Sequence, residues 1–387
     1  MENFVFYNPT KLVFGKNTVE QIGEYLKKDK IKKVLLLAGG GSIKKNGVYE
    51  KVVRSLIENS IEKVEVWGVR ANPVVSKVRE AIDVARKEKV DAILAVGGGS
   101  VIDSGKAVAA GVMYEGDVWD FYQGKATPKD ALPLYTILTL SATGTEMNGG
   151  TVVTNEELLE KFSFWSVHTF PKVSIVDPEV QYSLPPHQTV NGAVDAISHV
   201  MEYYFDGAKR TDLIDRVDES IILTLMETTE ALLNDPKDYD ARANFALSTT
   251  LALNGISGLG HRGGDWSSHA IEHALSALNP EVAHGAGLAV VFPAWMKYVY
   301  KANPTKFRRF GRTIFRLKNS TPTQAIDALK RWYKKIGAPT TLKELGFKRE
   351  DIETLTEIAA KTVPMGKLVK LEKEDIRKIL EIAYEEE

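Results

Sequence analysis

Two short aliphatic runs in this chain, Lys33–Ala38 and Asp91–Val96, each lead into Gly-Gly-Gly-Ser, at Gly39–Ser42 and Gly97–Ser100. Apolar runs of this length without polar alternation suit strands buried on both faces, which occur in parallel sheets covered by helices on either side. Val64–Val69, Leu134–Leu138 and Val173–Val176 are further strand candidates. Between them lie helical patterns, clearest over 75–87, where Val78, Ile82 and Ala85 recur at three- and four-residue spacing. The first half therefore reads as α/β, built from βαβ units. Phe4–Phe14 alternates around Asn8-Pro9 and reads as a hairpin added at the sheet edge.

The second half has a different texture. After Asp177-Pro178 and Leu184-Pro185-Pro186 the strand signals stop, and long helical patterns follow over 190–204, 215–233, 241–253 and 323–336. The tail, 372–387, is charged and reads as a peripheral helix. A chain of 387 residues has room for two domains. We expect an α/β domain over 1–184 and an all-α domain over 185–387.

Composition narrows the chemistry. Lys and Arg total 50 against 51 Asp and Glu, so no global basic field invites nucleic acid or an anionic membrane. There is no cysteine, which excludes disulfides, thiolate nucleophiles, iron–sulfur clusters and Cys-ligated zinc. Any metal must be held by histidine and carboxylate. Met1-Glu2-Asn3 does not start a cationic segment followed by an apolar run, and no stretch approaches the roughly 18 apolar residues of a membrane span. A cytoplasmic protein is the expectation.

The glycine-rich turns suit a phosphate. Glycine lets the backbone approach closely, and the following helix aims its N–H groups and positive dipole end at the anion. Neither common nucleotide motif is present. Ile102 stands where the third glycine of G-x-G-x-x-G would be, and Gly105-Lys106 is followed by Ala107 rather than a hydroxyl residue. A tight strand–helix turn without a ligand explains either glycine run alone. Two of them at strand C-termini, where open parallel sheets bind ligands, favour a nucleotide. A third turn, Thr139–Glu146, is rich in small hydroxyl residues, which are also ordinary turn chemistry.

Four of the seven histidines, His261, His269, His273 and His284, fall within one short stretch. Asp195 and His199 stand four apart on one helical pattern, and His269 and His273 four apart on another, so each pair projects from one face. An i,i+4 contact accounts for either pair alone. Both pairs together with His284, which precedes Gly285 in a turn, compose a nitrogen and oxygen site suited to Fe²⁺, Zn²⁺ or Mn²⁺. His168, His187 and His261 read as ordinary hydrogen-bonded or surface histidines.

At this point the chain resembles the iron-containing alcohol dehydrogenases, of the dehydroquinate-synthase-like fold. The similarity runs from Tyr7-Asn8-Pro9-Thr10 and Phe14-Gly15 through Gly97–Asp103, Thr139–Glu146 and Asp177-Pro178. It continues over Asn191–His199 and ends with His269-x-x-x-His273 and His284-Gly285. Within that family, Gly39–Ser42, Leu140 and Asp265-Trp266 are most similar to the butanol dehydrogenase and broad-range aldehyde reductase branch. The resemblance implies a Rossmann-like cofactor domain and a helical metal domain, with Asp195, His199, His269 and His284 as metal ligands and His273 beside them. It implies that Gly98, Gly99 and Ser100 hold the pyrophosphate, and that Asn72, Asp103, Thr139, Leu140, Thr143 and Lys161 line the rest of the dinucleotide. It implies a homodimer acting on short alcohols and aldehydes such as butanol and butanal. A polyol dehydrogenase or a cyclase on the same fold is an alternative, and a non-catalytic nucleotide- or metal-binding module is another.

The implied metal, Fe²⁺ or Zn²⁺, would act as a Lewis acid on the substrate oxygen. His273 has two readings, a proton relay or a residue that only orients water or a ligand. Cofactor choice rests on the first turn, Gly39-Gly40-Gly41-Ser42-Ile43-Lys44-Lys45, which has two lysines and no acid to repel a 2′-phosphate. Gly40, Gly41 and Ser42 are thus candidates for that phosphate, with NADP(H) expected over NAD(H).

Overall fold

The computed structural model describes residues 1–385. Eight strands are present among the described residues: β1 (Lys11–Phe14), β2 (Lys33–Ala38), β3 (Glu62–Val66), β4 (Ala92–Gly97), β5 (Leu134–Leu138), β6 (Gly150–Asn155), β7 (Glu160–Trp165) and β8 (Val173–Val176). Six make one sheet in the order β1-β8-β5-β4-β2-β3, with every neighbouring pair parallel. In its first part the helices are α1 (Ile22–Lys28), α2 (Ser42–Lys45), α3 (Val48–Glu58), α4 (Val75–Glu88), α5 (Gly99–Val112) and α6 (Trp119–Tyr122).

The apolar strands are buried on both faces. Val34, Leu36 and Ala38 of β2 pack with Ile22 and Leu26 of α1 and Val52 and Leu56 of α3. Their alternating neighbours Leu35 and Leu37 pack with Val78 and Ile82 of α4 and Ile102 of α5 on the other face. A polar residue at any of these positions would meet a core, so β2 carries none past Lys33. Chain order reverses between β2 and β4, and this topological switch is flanked by the two glycine turns.

One expectation fails here. Phe4–Phe14 forms no hairpin; only Lys11–Phe14 is a strand, and it pairs parallel to β8. A hairpin is found instead at β6–β7, antiparallel with Gly150 opposite Trp165 and Asn155 opposite Glu160. Its connection, Glu156-Glu157-Leu158-Leu159, has no glycine or proline to announce it, and Leu159 adopts a positive φ of 49°.

The remaining helices are α7 (Pro186–Tyr204), α8 (Asp212–Asn234), α9 (Tyr239–Ala252), α10 (Ser267–Leu278), α11 (His284–Val299), α12 (Pro304–Ile314), α13 (Pro322–Lys335), α14 (Asp351–Ala359) and α15 (Lys373–Glu385). The chain divides into two compact units. One contains Tyr7–Leu184 and Pro236–Thr250; the other contains Met1–Phe6, Pro185–Asp235 and the chain from Leu251 onward. The first six residues and most of α9 therefore lie in the unit opposite to the one their sequence position suggests. Ala246 of α9 belongs to the core on the α4–α5 face of the sheet. In the helical unit, α7 packs on α8 and α11, and α10 packs on α11 and α14. No helix among the described residues is long and apolar enough to cross a membrane.

Candidate functional site

Three helices of the helical unit present the histidine and carboxylate groups. Asp195 and His199 lie on α7 and His269 and His273 on α10, while His284, expected in a turn, is the first residue of α11. Gly285 explains how α11 reaches this position. A Cβ there would fall 2.1 Å from the carbonyl oxygen of Asn191, so only glycine lets the start of α11 touch the backbone of α7. Gly287 similarly makes room for Glu272, where a Cβ would meet Cγ at 2.7 Å.

The resulting geometry centres on Asp195. Its Oδ1 lies 3.6 Å from His199 Nε2 and 3.6 Å from His284 Nε2. Candidate ligand atoms of Asp195, His199 and His269 all fall within 4.8 Å of one another, as do those of Glu272, His273 and His284. The His199 and His269 rings are stacked with centroids 4.8 Å apart, and those of His269 and His284 are 5.3 Å apart. These separations exceed hydrogen-bonding distance but suit donors arranged around a common ion. Burial, followed by the neighbouring His269 and His284, holds His199 well below its ordinary pKa, which keeps its imidazole neutral.

Two carboxylates that escaped notice in the sequence support the histidines. Glu202 Oε1 lies 2.7 Å from His269 Nδ1, while its Oε2 accepts the backbone N–H of Trp266 at 2.6 Å. Glu202 on α7 thus fixes the ring of His269 and also satisfies the N-terminus of α10, which begins at Ser267 without a side-chain cap of its own. Glu272 contacts His284 Nδ1 through Oε2. Both acids were legible by spacing, Glu202 three residues after His199 and Glu272 three after His269.

The implied metal can be tested against this donor set. With Nδ1 of His269 committed to Glu202, its Nε2 is buried and has no hydrogen-bond partner. The same is true of Nδ1 of His199. A buried nitrogen left this way is costly unless a cation uses its lone pair. One carboxylate and three imidazoles make a borderline donor set, so the residues fit a divalent ion. His261 does not join them; it is buried beside Asp206, with Nδ1 3.3 Å from Oδ1.

In the α/β unit, the second and third turns are packed together. The N–H of Thr139 donates to the carbonyl of Gly97 at 3.0 Å. A Cβ on Gly98 would meet Leu140 at 3.2 Å, and one on Gly99 would meet Thr143 Oγ1 at 2.6 Å. The glycines therefore admit the third turn as well as any phosphate. Helix α5 starts at Gly99 with no side-chain cap, leaving its N-terminal dipole available. Ser100 is half-buried in its first turn. Asn72 and Lys161, far apart in sequence, are both buried, and Lys161 Nζ donates to Asn72 Oδ1 at 3.0 Å. Gly40 and Gly41 face open space, and Gly41, at φ 101°, precedes the exposed Ser42.

Asp103 is turned inward. Its two oxygens accept from the Thr145 hydroxyl at 2.5 Å and the Val152 N–H at 2.9 Å. Nearby, the fully buried Lys106 donates to Thr145 Oγ1, Asn148 Oδ1 and the Gly150 carbonyl at 2.7, 3.0 and 2.7 Å. Burial pushes the Lys106 ammonium down to about 8, with Asp103 and Glu146 opposing it. Together Asp103 and Lys106 fasten α5 to the third turn and to β6, a role the sequence motif did not suggest.

Residues 9–178 match the family model described as iron-containing alcohol dehydrogenase, and residues 189–384 match the C-terminal model of the Fe-containing alcohol dehydrogenase family. A probable NADH-dependent butanol dehydrogenase 1 of Bacillus subtilis is 42% identical over 386 residues, 98% of this chain and 99% of the relative. The NADPH-dependent aldehyde reductase YqhD of Escherichia coli is 34% identical, covering 92% of each chain. A crystal structure of NADH-dependent butanol dehydrogenase A from Thermotoga maritima superposes with a TM-score of 0.97 at 54% identity, covering 100% of this chain and 99% of the other.

Proposed function

This chain belongs to the iron-containing alcohol dehydrogenase family, in its butanol dehydrogenase and aldehyde reductase branch, and from that premise we propose that it interconverts short-chain aldehydes and alcohols such as butanal and butanol. It is an oxidoreductase acting on CH–OH groups, and its family binds NAD(P)H and a metal. The observation that carries the substrate reading is the buried Asp195 with two histidine nitrogens at 3.6 Å. Arg262, the nearest basic residue in the motif stretches, is already donating to the carbonyls of Lys367 and Asp206 at 2.9 and 3.3 Å. That favours an uncharged substrate over a phosphorylated polyol.

Asp195, His199, His269 and His284 would hold Fe²⁺ or Zn²⁺. When bound, the ion supplies Lewis acidity at the substrate oxygen and the reduced nicotinamide supplies the hydride. Glu202 and Glu272 keep His269 and His284 in the tautomer and orientation that ligation needs. His273, half-buried and one helical turn beyond His269, carries the proton that completes the product hydroxyl. Gly98, Gly99 and Ser100 at the start of α5 take the pyrophosphate, and Asn72, Lys161, Thr139, Leu140 and Thr143 flank the remainder.

NADPH is the preferred reductant in this reading. No acid lies in the turn at Gly40, Gly41 and Ser42, and the nearby Glu65 is engaged by Lys63, Tyr49 and Trp67. A 2′-phosphate there meets backbone N–H groups and the Ser42 hydroxyl without repulsion. A dimer is supported by the run Phe4-Val5-Phe6-Tyr7, all exposed, with Val5 at 93%; sedimentation of the purified protein tests it.

The central test is metal analysis of protein prepared without added metal, followed by reduction of a series of short straight-chain aldehydes with each cofactor. We expect one tightly held Fe²⁺ or Zn²⁺, lost in Asp195→Ala, and a higher kcat/KM with NADPH. Aldehyde reduction that survives complete metal removal, or that Asp195→Ala leaves intact, overturns the assignment. A clear NADH preference overturns the cofactor reading alone.

A further inference from the structure

The helical unit carries a cavity of about 460 Å³ whose lining includes none of the histidine-cluster residues. It is lined by the loop that precedes α8, by α12 and by the turn that follows α12. That volume lies in the range of small-molecule sites, and most of the residues that line it are polar or charged, with Ala208 and Leu317 among them. Five basic side chains face it, Arg210, Lys306, Arg308, Arg309 and Arg312, against two acids, Asp212 and Asp215.

The partners of these charges decide what the cavity can accept. Asp215 is buried and saturated, taking Lys306 Nζ at 2.6 Å, Arg309 Nη1 at 2.8 Å and the Thr211 hydroxyl at 2.8 Å. Arg309 also grips Glu219, at 2.6 and 3.1 Å, so it is held rigidly. Arg210, Arg308 and Arg312 have no ion-pair partner among the described residues, and Arg308 makes only a 3.5 Å contact with the Thr305 hydroxyl. Arg210, Arg308 and Arg312 are exposed, and three unpaired guanidinium groups around one cavity give it a local positive potential that an anion among them offsets. Asp212 is exposed and lies 3.8 Å from Arg309, which offsets its charge.

From this arrangement we infer that the cavity is a binding site for a phosphate group, free or carried by a small phosphorylated metabolite. Guanidinium forks match the oxygens of a phosphate in paired hydrogen bonds, and a dianion satisfies several of them at once. The exposed Thr305 hydroxyl and the Asn319 amide add neutral partners at the wall. Lys306 and Arg309 are balanced by Asp215 and Glu219, so the uncompensated positive charge at the cavity comes from Arg210, Arg308 and Arg312. A cleft of this volume, open to solvent on one side, has room for a compact anion.

The test is calorimetric titration of the metal-loaded enzyme at constant ionic strength, with inorganic phosphate, glucose 6-phosphate and glucose as probes. We expect saturable binding of one or both phosphates in the millimolar range or tighter and none of glucose. Phosphate binding without the sugar phosphate identifies the free ion as the ligand, and the reverse identifies an ester. Arg308→Gln and Arg312→Gln should each weaken binding by about tenfold, with phosphate-free aldehyde reduction unchanged. Binding that persists in the double variant places the phosphate elsewhere, including at the dinucleotide turns, and overturns the inference. So does the absence of saturation by any small phosphate, or binding confined to long polyanions such as heparin.

Discussion

Glu202 Oε1 stands 2.7 Å from Nδ1 of His269, and the other oxygen of the same carboxylate accepts the N–H of Trp266. One side chain of α7 thereby sets both the ring orientation of a candidate ligand and the start of the helix that carries it. Burial pushes the Glu202 carboxyl up, while the hydrogen bond from His269 opposes that shift. Replacing Glu202 by Gln retains an acceptor but removes the charge. We expect metal affinity to fall about 10–100-fold, read by competition with a chelator. Unchanged metal retention would leave Glu202 as a helix cap only.

His273 lies on α10 one turn beyond the candidate ligand His269 and is half-buried, as is His284. His273→Ala should keep its full metal content and lose about 10²–10⁴-fold in kcat for aldehyde reduction. Loss of metal in this variant would make it a ligand instead, and an unaffected kcat would leave it no part in proton transfer.

Gly99 is pressed by Thr143, so Gly99→Ala must displace the third turn. The expected cost is about 1–3 kcal/mol of stability, accompanied by a higher KM for the dinucleotide. A lower melting temperature with unchanged cofactor KM would separate the packing role of this glycine from any phosphate contact.

Gly40, by contrast, has open space around its missing side chain. Gly40→Asp should leave the melting temperature alone and place a carboxylate where a 2′-phosphate would sit. The NADPH-to-NADH ratio of kcat/KM should then fall by about tenfold or more, equivalent to roughly 1.4 kcal/mol. An unchanged ratio would put the 2′-phosphate somewhere other than this turn.

Acid stability has an identifiable contributor in Glu65. Burial alone would raise its carboxyl, but hydrogen bonds from Lys63, Tyr49 and Trp67 hold it down from 4.5 to about 2. A carboxyl depressed on folding stabilises fully above 4.5, and that contribution is lost as pH falls from 4.5 towards 2. Glu65→Gln should therefore melt below the parent at neutral pH, and the gap should close on acidification through that window. A gap independent of pH would show that the carboxylate is not responsible.

Local pattern alone dictates the doubly buried strands. Residues such as Leu35 and Leu36, alternating between two cores, leave no other environment for an uninterrupted apolar run. It also determined which side chains could share a helix face, so Asp195 with His199 and His269 with His273 were legible from four-residue spacing. Tertiary structure decided which faces meet. His284 reaches Asp195 because α11 starts earlier than a turn would allow and Gly285 lets it touch α7, a contact about ninety residues long-range that no local pattern encodes. Glu202 and Glu272 read locally as ordinary helix acids, and only burial against the neighbouring helices sets them on His269 and His284. The β6–β7 hairpin and the membership of α9 in the sheet unit were hidden for the same reason. Local sequence states what each segment can bury, whereas the identity of what covers it depends on close approaches between segments remote in the chain.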